Sequence, residues 1–190
     1  MDPWDVVLDI VVAEGLPLTV MLPSLVPSMG ATDEGWKARV EVWRDPRVVL
    51  GGSDAGAHLN LLCHANYPTV VLGEVVRKRG LLGLEEAVRL MTDVPARLYG
   101  LRERGRVAEG WHADLVVFDP DTVASGPSIA RFDLPGGGER LYAEAVGIDR
   151  VLVGGREIVV EGHFTDDLPG QVLRSGVDTD TITVPGRAAG

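Results

Sequence analysis

Apolar positions along this chain alternate between two periods, one near 3.6 residues and one near 2, and the switches mark the expected elements. Val6, Val7, Ile10 and Val11 recur at helical spacing, with Asp2-Pro3 as a start signal and Gly15 as a stop. Residues 16–22 form an apolar run suited to a strand, and residues 23–30 hold two prolines, two serines and a glycine, a loop composition. Trp36, Val40 and Trp43 fall on one face of a helix that begins at Asp33 and closes at Asp45-Pro46. Residues 47–50 supply the next strand. Helix, strand, loop, helix, strand is the rhythm of an α/β barrel or an open parallel sheet.

Helices dominate from Thr69 to Gly100. Pro68 opens one that runs to Arg79, with Arg77, Lys78 and Arg79 in its last turn and Gly80 beyond. That cationic cluster is a favourable charge at a helix C-terminus and needs no anion to explain it. Leu84, Ala87, Val88 and Met91 mark the next helix, and Pro95 begins a short one ended by Gly100. After Gly105 the period changes to short strands. Residues 106–108 are expected to pair with residues 113–118 across a turn at Glu109-Gly110. Residues 151–153, Gly154-Gly155 and residues 156–160 predict a tight hairpin, since two glycines supply positive φ angles. Between them lies a polar, glycine-rich connection over residues 119–140. The tail beyond Leu168 is weakly patterned and expected to be extended or disordered. The expected units are residues 1–104, 105–168 and a tail of 169–190.

Composition narrows the partners. The 190 residues carry a formal charge of −10, which argues against nucleic acid or an anionic membrane as partner, since both need a basic face. The longest apolar stretch, residues 16–26, is broken by prolines and is too short to span a bilayer. One cysteine, Cys63, excludes an internal disulfide framework and suits a reducing, cytoplasmic setting.

Chemistry concentrates in Val48-Val49-Leu50-Gly51-Gly52-Ser53-Asp54-Ala55-Gly56-Ala57-His58. A β-branched run stops at two glycines, and an acid and an imidazole follow. Strand ends in α/β barrels hold the backbone fixed while side chains face an open mouth. Asp54 reads as an acid/base or as a turn aspartate bonded to nearby backbone. His58 reads as a ligand for a substrate carboxylate or as a loop histidine. Gly51, Gly52 and Gly56 permit a tight turn and close approach of a ligand, and Ser53 can cap or orient Asp54. Asn66 and Tyr67 are candidates for the same mouth. Cys63-His64 is a packed cysteine beside a loop histidine, because adjacent residues rarely both face one ion. Gly51-Gly52-Ser53-Asp54-Ala55 also approaches a Gly-x-Ser-x-Gly elbow, which would make Ser53 a nucleophile, with Ala55 in place of the last glycine.

Three blocks in order carry a resemblance: Gly52-Ser53-Asp54, then Thr92-x-x-Pro95-Ala96-Arg97-x-x-Gly100-Leu101, then residues 105–119 with Gly110-Trp111-His112-Ala113-Asp114. Together they resemble the C-terminal part of a metal-dependent amidohydrolase of the N-acyl-D-amino-acid deacylase type. The resemblance implies an α/β fold: the C-terminal part of a TIM-like barrel followed by strands of a small β-sandwich, an incomplete fold. It implies hydrolysis of a nonpeptide C–N bond in a small-molecule amide and a divalent metal, zinc, which lowers the pKa of bound water. Asp54 would be the acid/base and would also touch the metal, with His58, Ser53 and Gly56 on the substrate. The family's other metal ligands, a His-x-His motif and further histidines, are absent here. The four histidines are His58, His64, His112 and His163. The alternatives are a catalytically inactive fragment or a complementing chain that lacks the metal-ligand half. The expected partners besides substrate are an N-terminal complementing chain or a homo-oligomer. Equilibrium dialysis is expected to show zinc held no more tightly than by scattered surface histidines; one tight zinc per chain would contradict this.

Overall fold

The computed structural model describes residues 6, 9, 32–53, 59–60 and 63–182. Val6 and Asp9 are helical and exposed. The strand expected over residues 16–22 and the loop over residues 23–30 lie outside the described residues. Helix α1 (Asp33–Arg44) forms where the tryptophan spacing predicts it. Thr32 caps it, its hydroxyl accepting from the Gly35 N–H at 3.1 Å. The rings of Trp36 and Trp43, two turns apart, meet edge to face with centroids 6.4 Å apart.

The next helical run differs in kind from the expected α-helix. A 3₁₀ turn (His64–Asn66) leads into α2 (Tyr67–Val70), which continues as a π-helix (Val71–Lys78). The Arg79 N–H reaches the Glu74 carbonyl five residues back, at 3.1 Å. Gly80, at φ +61°, ends the run, and the Leu81 N–H returns to the Val75 carbonyl at 3.0 Å. Helix α3 (Leu84–Met91) follows as its periodicity predicts, and α4 (Asp93–Leu98) begins two residues before the expected Pro95. Arg44 joins α1 to α3 through two hydrogen bonds to Glu86, at 2.9 and 3.1 Å, which hold the Glu86 carboxyl below its usual range.

The strands are β1 (Leu115–Phe118), β2 (Ala124–Ser125), β3 (Ile129–Leu134), β4 (Gly138–Tyr142), β5 (Ala145–Val146), β6 (Ile148–Val153), β7 (Arg156–Val160) and β8 (His163–Phe164). They form a four-stranded antiparallel sheet in the order β1-β6-β7-β8, with separate pairs β2-β5 and β3-β4. The β6–β7 hairpin turns at Gly154-Gly155 as expected, both at positive φ. The expected pairing of residues 106–108 with β1 does not occur. Strand β1 pairs with β6 instead, Val116 opposite Val151, and residues 106–108 are irregular. The polar connection of residues 119–140 also proves structured, since β2, β3 and most of β4 lie within it. The tail folds back: the Asp180 N–H donates to the Gly100 carbonyl at 2.8 Å, and Thr179 is buried beside Leu101.

Helices and strands share one core. Val40, Val71, Leu72, Val75, Ala87 and Leu90 are buried together with Val123, and Phe118 and Ile148 pack against them. Gly73 makes this seam close: a Cβ there would lie 2.9 Å from the Val123 carbonyl oxygen. Gly147 stands on the other side of Val123 at φ +71°, where a Cβ would meet the Val123 nitrogen at 2.6 Å. Gly147→Ala therefore combines positive-φ strain with overpacking and is expected to lower stability by about 1–3 kcal/mol in urea unfolding. A loss below about 0.5 kcal/mol, the scale of an ordinary surface change, would contradict this packing.

Arg140 of β4 donates to both oxygens of Asp133 in β3, at 2.6 and 2.7 Å, and holds that carboxyl below its usual range. A lowered carboxylate stabilises the fold above its unfolded pKa of about 4, and the contribution is lost as pH falls through the lower folded value. Exchange protection factors in β3 and β4 should therefore hold from pH 7 to about 4 and fall below it, and Asp133→Asn should flatten that fall. A fall already complete above pH 5 would contradict the sign.

Candidate active site

The strand expected over residues 47–50 is not formed. Residues 48–53 run irregularly, with no strand beside them among the described residues. The reason is physical: a strand needs a neighbour for its N–H and C=O groups, and apolar side chains alone cannot supply one. Residues 48–52 instead line a groove of about 390 Å³ with Trp36, Trp43, Tyr67 and Val70. Leu50 is buried, while Gly51 and Gly52 reach the surface and Ser53 is half-buried. Gly52 takes φ +81°, so its lack of a side chain is used by the turn itself, whereas Gly51 has open space around it and an ordinary φ.

Asp54, Gly56 and His58 lie outside the described residues, so of the four residues expected to act on water or substrate the structure describes Ser53. The chain beyond them is tied to the strands. The Leu59 carbonyl accepts from the Leu141 N–H of β4 at 2.7 Å. Asn66 donates through Nδ2 to the Ser125 hydroxyl of β2 at 2.7 Å. Between these ties lies a cleft of about 330 Å³, lined by Leu59, Cys63, Thr69, Arg140, Leu141 and Tyr142. Arg131 and Arg140, opposite each other across β3 and β4, both stack on the Tyr142 ring, at 3.9 and 4.8 Å from its centroid. Each also has an acid partner, Glu144 and Asp133 respectively.

Asn66 and Tyr67, read from sequence as mouth residues, thus part company. Tyr67 lines the groove beside Gly51 and Gly52, while the Asn66 amide is turned to Ser125. Cys63 and His64 begin the 3₁₀ turn, and no group of three or more His, Cys, Asp or Glu among the described residues is placed to hold a metal ion. His112 and His163 belong to the strand region, His163 in β8. Ser125, Leu141 and Tyr142 were missed as neighbours of the site. A signal was available: Ile129-Ala-Arg-Phe-Asp-Leu134 alternates, and Pro135-Gly136-Gly137 is a turn composition.

The second and third sequence blocks also have a structural account. Asp93 is buried, accepts a hydrogen bond from Arg97 at 3.0 Å and forms an ion pair with Arg106 at 3.2 Å, tying α4 to the chain that leaves it. A Cβ on Gly105 would meet the Thr92 carbonyl oxygen at 2.9 Å, so glycine is needed for that close passage. Asp114 accepts from the Gly154 N–H at 2.8 Å and pairs with Arg104, linking the Gly-Trp-His-Ala-Asp block to the β6–β7 turn.

Comparison with known proteins agrees with these blocks. The model of the amidohydrolase family matches residues 31–159. The N-acyl-D-glutamate deacylase of Alcaligenes xylosoxydans xylosoxydans is 43% identical over 106 residues, 56% of this chain and 20% of that protein. The D-aminoacylase of the same organism is 45% identical over 103 residues, 54% of this chain and 19% of that one. Among solved structures, the N-acyl-D-glutamate deacylase from Bordetella bronchiseptica, complexed with zinc and a phosphonate inhibitor, is 46% identical. That alignment covers 49% of this chain and 18% of the other, with a TM-score of 0.39. The chain spans about one-fifth of the length of the curated relatives it matches. Its mixed helix and strand architecture is α/β, and the chain belongs to the amidohydrolase family.

Proposed function

We propose that this chain carries the acid/base segment of an amidohydrolase that cleaves the amide bond of an N-acyl-D-amino acid. The observation that carries the reading is the family match over residues 31–159, which includes Gly52-Ser53-Asp54, together with relatives named as deacylases of N-acyl-D-glutamate and N-acyl-D-aspartate. In this reading residues 1–104 belong to the C-terminal part of a TIM-like barrel. Residues 105–168 add strands of a β-sandwich, and residues 169–190 form a tail.

The described residues do not by themselves make a divalent-metal site. Asp54 takes the proton from the attacking water and passes it to the departing amide nitrogen. The water oxygen bonds to the carbonyl carbon, the C–N bond breaks, and a carboxylic acid and an amine leave. His58 holds the substrate carboxylate. Ser53 orients Asp54, and Gly56 leaves room for the ligand. The remaining metal ligands would come from outside these residues. A second reading, in which the 190 residues alone are catalytically silent, is favoured by the four histidines, which show no metal-ligand spacing.

Substitution in an active enzyme carrying this segment separates the roles. Asp54→Asn is expected to lower turnover roughly a hundredfold or more while leaving the fold intact, because the amide keeps the shape and cannot take a proton. His58→Ala should mainly raise KM. Ser53→Ala should be mild, on the order of 1 kcal/mol, as for a lost capping hydroxyl. An inactive Ser53→Ala beside a tolerated Asp54→Asn would overturn the reading in favour of a serine nucleophile.

A further inference from the structure

We propose that the free edge of β1 is a docking site for an extended apolar strand of a partner protein, with basic residues ahead of its apolar run. The main sheet runs β1-β6-β7-β8, so β1 and β8 are its edges. Strand β8 is two residues long, and Thr165 after it turns back on β7, its N–H donating to the Ile158 carbonyl at 3.1 Å. So short an edge offers little to pair with. Strand β1 differs. Its four residues, Leu115-Val116-Val117-Phe118, carry no charge and no proline, and the register shift in its pairing places the extra residue in β6. Val116 and Val117 are 54% and 46% exposed.

The main chain shows which groups face outward. At one end of β1 the Ala113 carbonyl accepts from the Gly155 N–H at 3.0 Å, and at the other the Asp119 N–H donates to the Gly147 carbonyl at 2.9 Å. Successive residues of an antiparallel strand turn their main-chain groups to opposite sides. Leu115 and Val117 therefore face β6, while Val116 and Phe118 turn N–H and C=O to the free edge. No described residue bonds them there. A row of unpaired main-chain groups is satisfied by another extended backbone.

Beside this edge lies a groove of about 370 Å³, lined by Leu72, Val88, Met91, Val107, Leu115 and Ile148. Main-chain pairing supplies affinity in strand addition, and a pocket beside the edge selects side chains, here branched and apolar. Charge then selects the partner. Two copies of this chain, each at −10, repel one another. Asp114, before β1, is already paired with Arg104. After β1 come Asp119 and Asp121, both exposed. The Asp119 carboxylate serves the turn, accepting from the Asp121 N–H at 2.9 Å and the Thr122 hydroxyl at 2.8 Å, and the Asp121 carboxylate faces solvent. A strand laid antiparallel on β1 starts opposite this end, so its leading residues meet the two acids. Lysine or arginine fits there.

Titration of the whole chain with a blocked hexapeptide, Lys-Lys-Val-Thr-Val-Thr, tests this, with amide exchange read by NMR. Saturable binding is expected, with exchange at Val116 and Phe118 slowed about tenfold or more, the scale of one hydrogen bond, and exchange in β8 unchanged. Proline is tolerated in an edge strand where its nitrogen faces solvent, so Val116→Pro removes an outward donor and keeps the pairing with β6. It should weaken binding about tenfold and leave the Leu115 and Val117 amides protected. Asp121→Lys leaves β1 untouched, and it should weaken the lysine peptide while favouring one that begins Glu-Glu. Absence of binding, or binding indifferent to both substitutions, would overturn the proposal. So would self-association of the chain that protects the same two amides, since the occupant would then be a second copy.

Discussion

Close contact between the π-helix and Val123 is the constraint on which the rest of the structure depends. Val123 is 1% exposed and belongs to no strand, yet it fills the space between Gly73 on one side and Gly147 on the other. Both glycines are needed because a methyl group at either would strike main-chain atoms, which cannot rotate away. The π-helical hydrogen bonding of residues 71–78 belongs to the same arrangement, since Val71, Leu72, Gly73 and Val75 are all buried there. Through Val123 the helices and the strands become one packed body.

That union brings the candidate site within reach of residues far away in sequence. Residues 59–66 follow the Asp54 region and precede α2, which runs without interruption into the π-helix. Strand β2 follows Val123 directly, so Ser125 arrives opposite Asn66 because Val123 is seated under Gly73. Strand β4 arrives opposite Leu59 through the hairpin with β3. The cleft beside Cys63 therefore has walls built from both layers, whereas the groove beside Gly51 and Gly52 is walled by helices and the chain joining them.

Helices α1 and α3 and the β6–β7 hairpin were legible in the sequence because local rules determine them. Trp36, Val40 and Trp43 repeat at helical spacing, and Gly154-Gly155 dictates a turn whatever surrounds it. The misplaced features depend on distant partners. Residues 47–50 have the composition of a strand and find no neighbour among the described residues, and β1 takes β6 as its partner across a long connection instead of the nearby residues 106–108. The π-helix could not be read because an insertion in helical hydrogen bonding leaves the apolar spacing almost unchanged. Of the site, the family blocks pointed to the loop at Ser53, while Ser125 lay within, and Leu141 just beyond, a stretch whose polar character suggested a loop. Its alternation and its Pro-Gly-Gly turn outweigh that polarity.

Helices and strands are expected to open as one unit through the Val123 seam. Native-state hydrogen exchange at increasing urea measures this directly, comparing amides of the π-helix with those of β6 and β7. The account predicts that both sets converge on the same opening free energy and the same urea dependence. Convergence at two distinct free energies, with the strands still protected after the π-helix has opened, would show two independent bodies and contradict it.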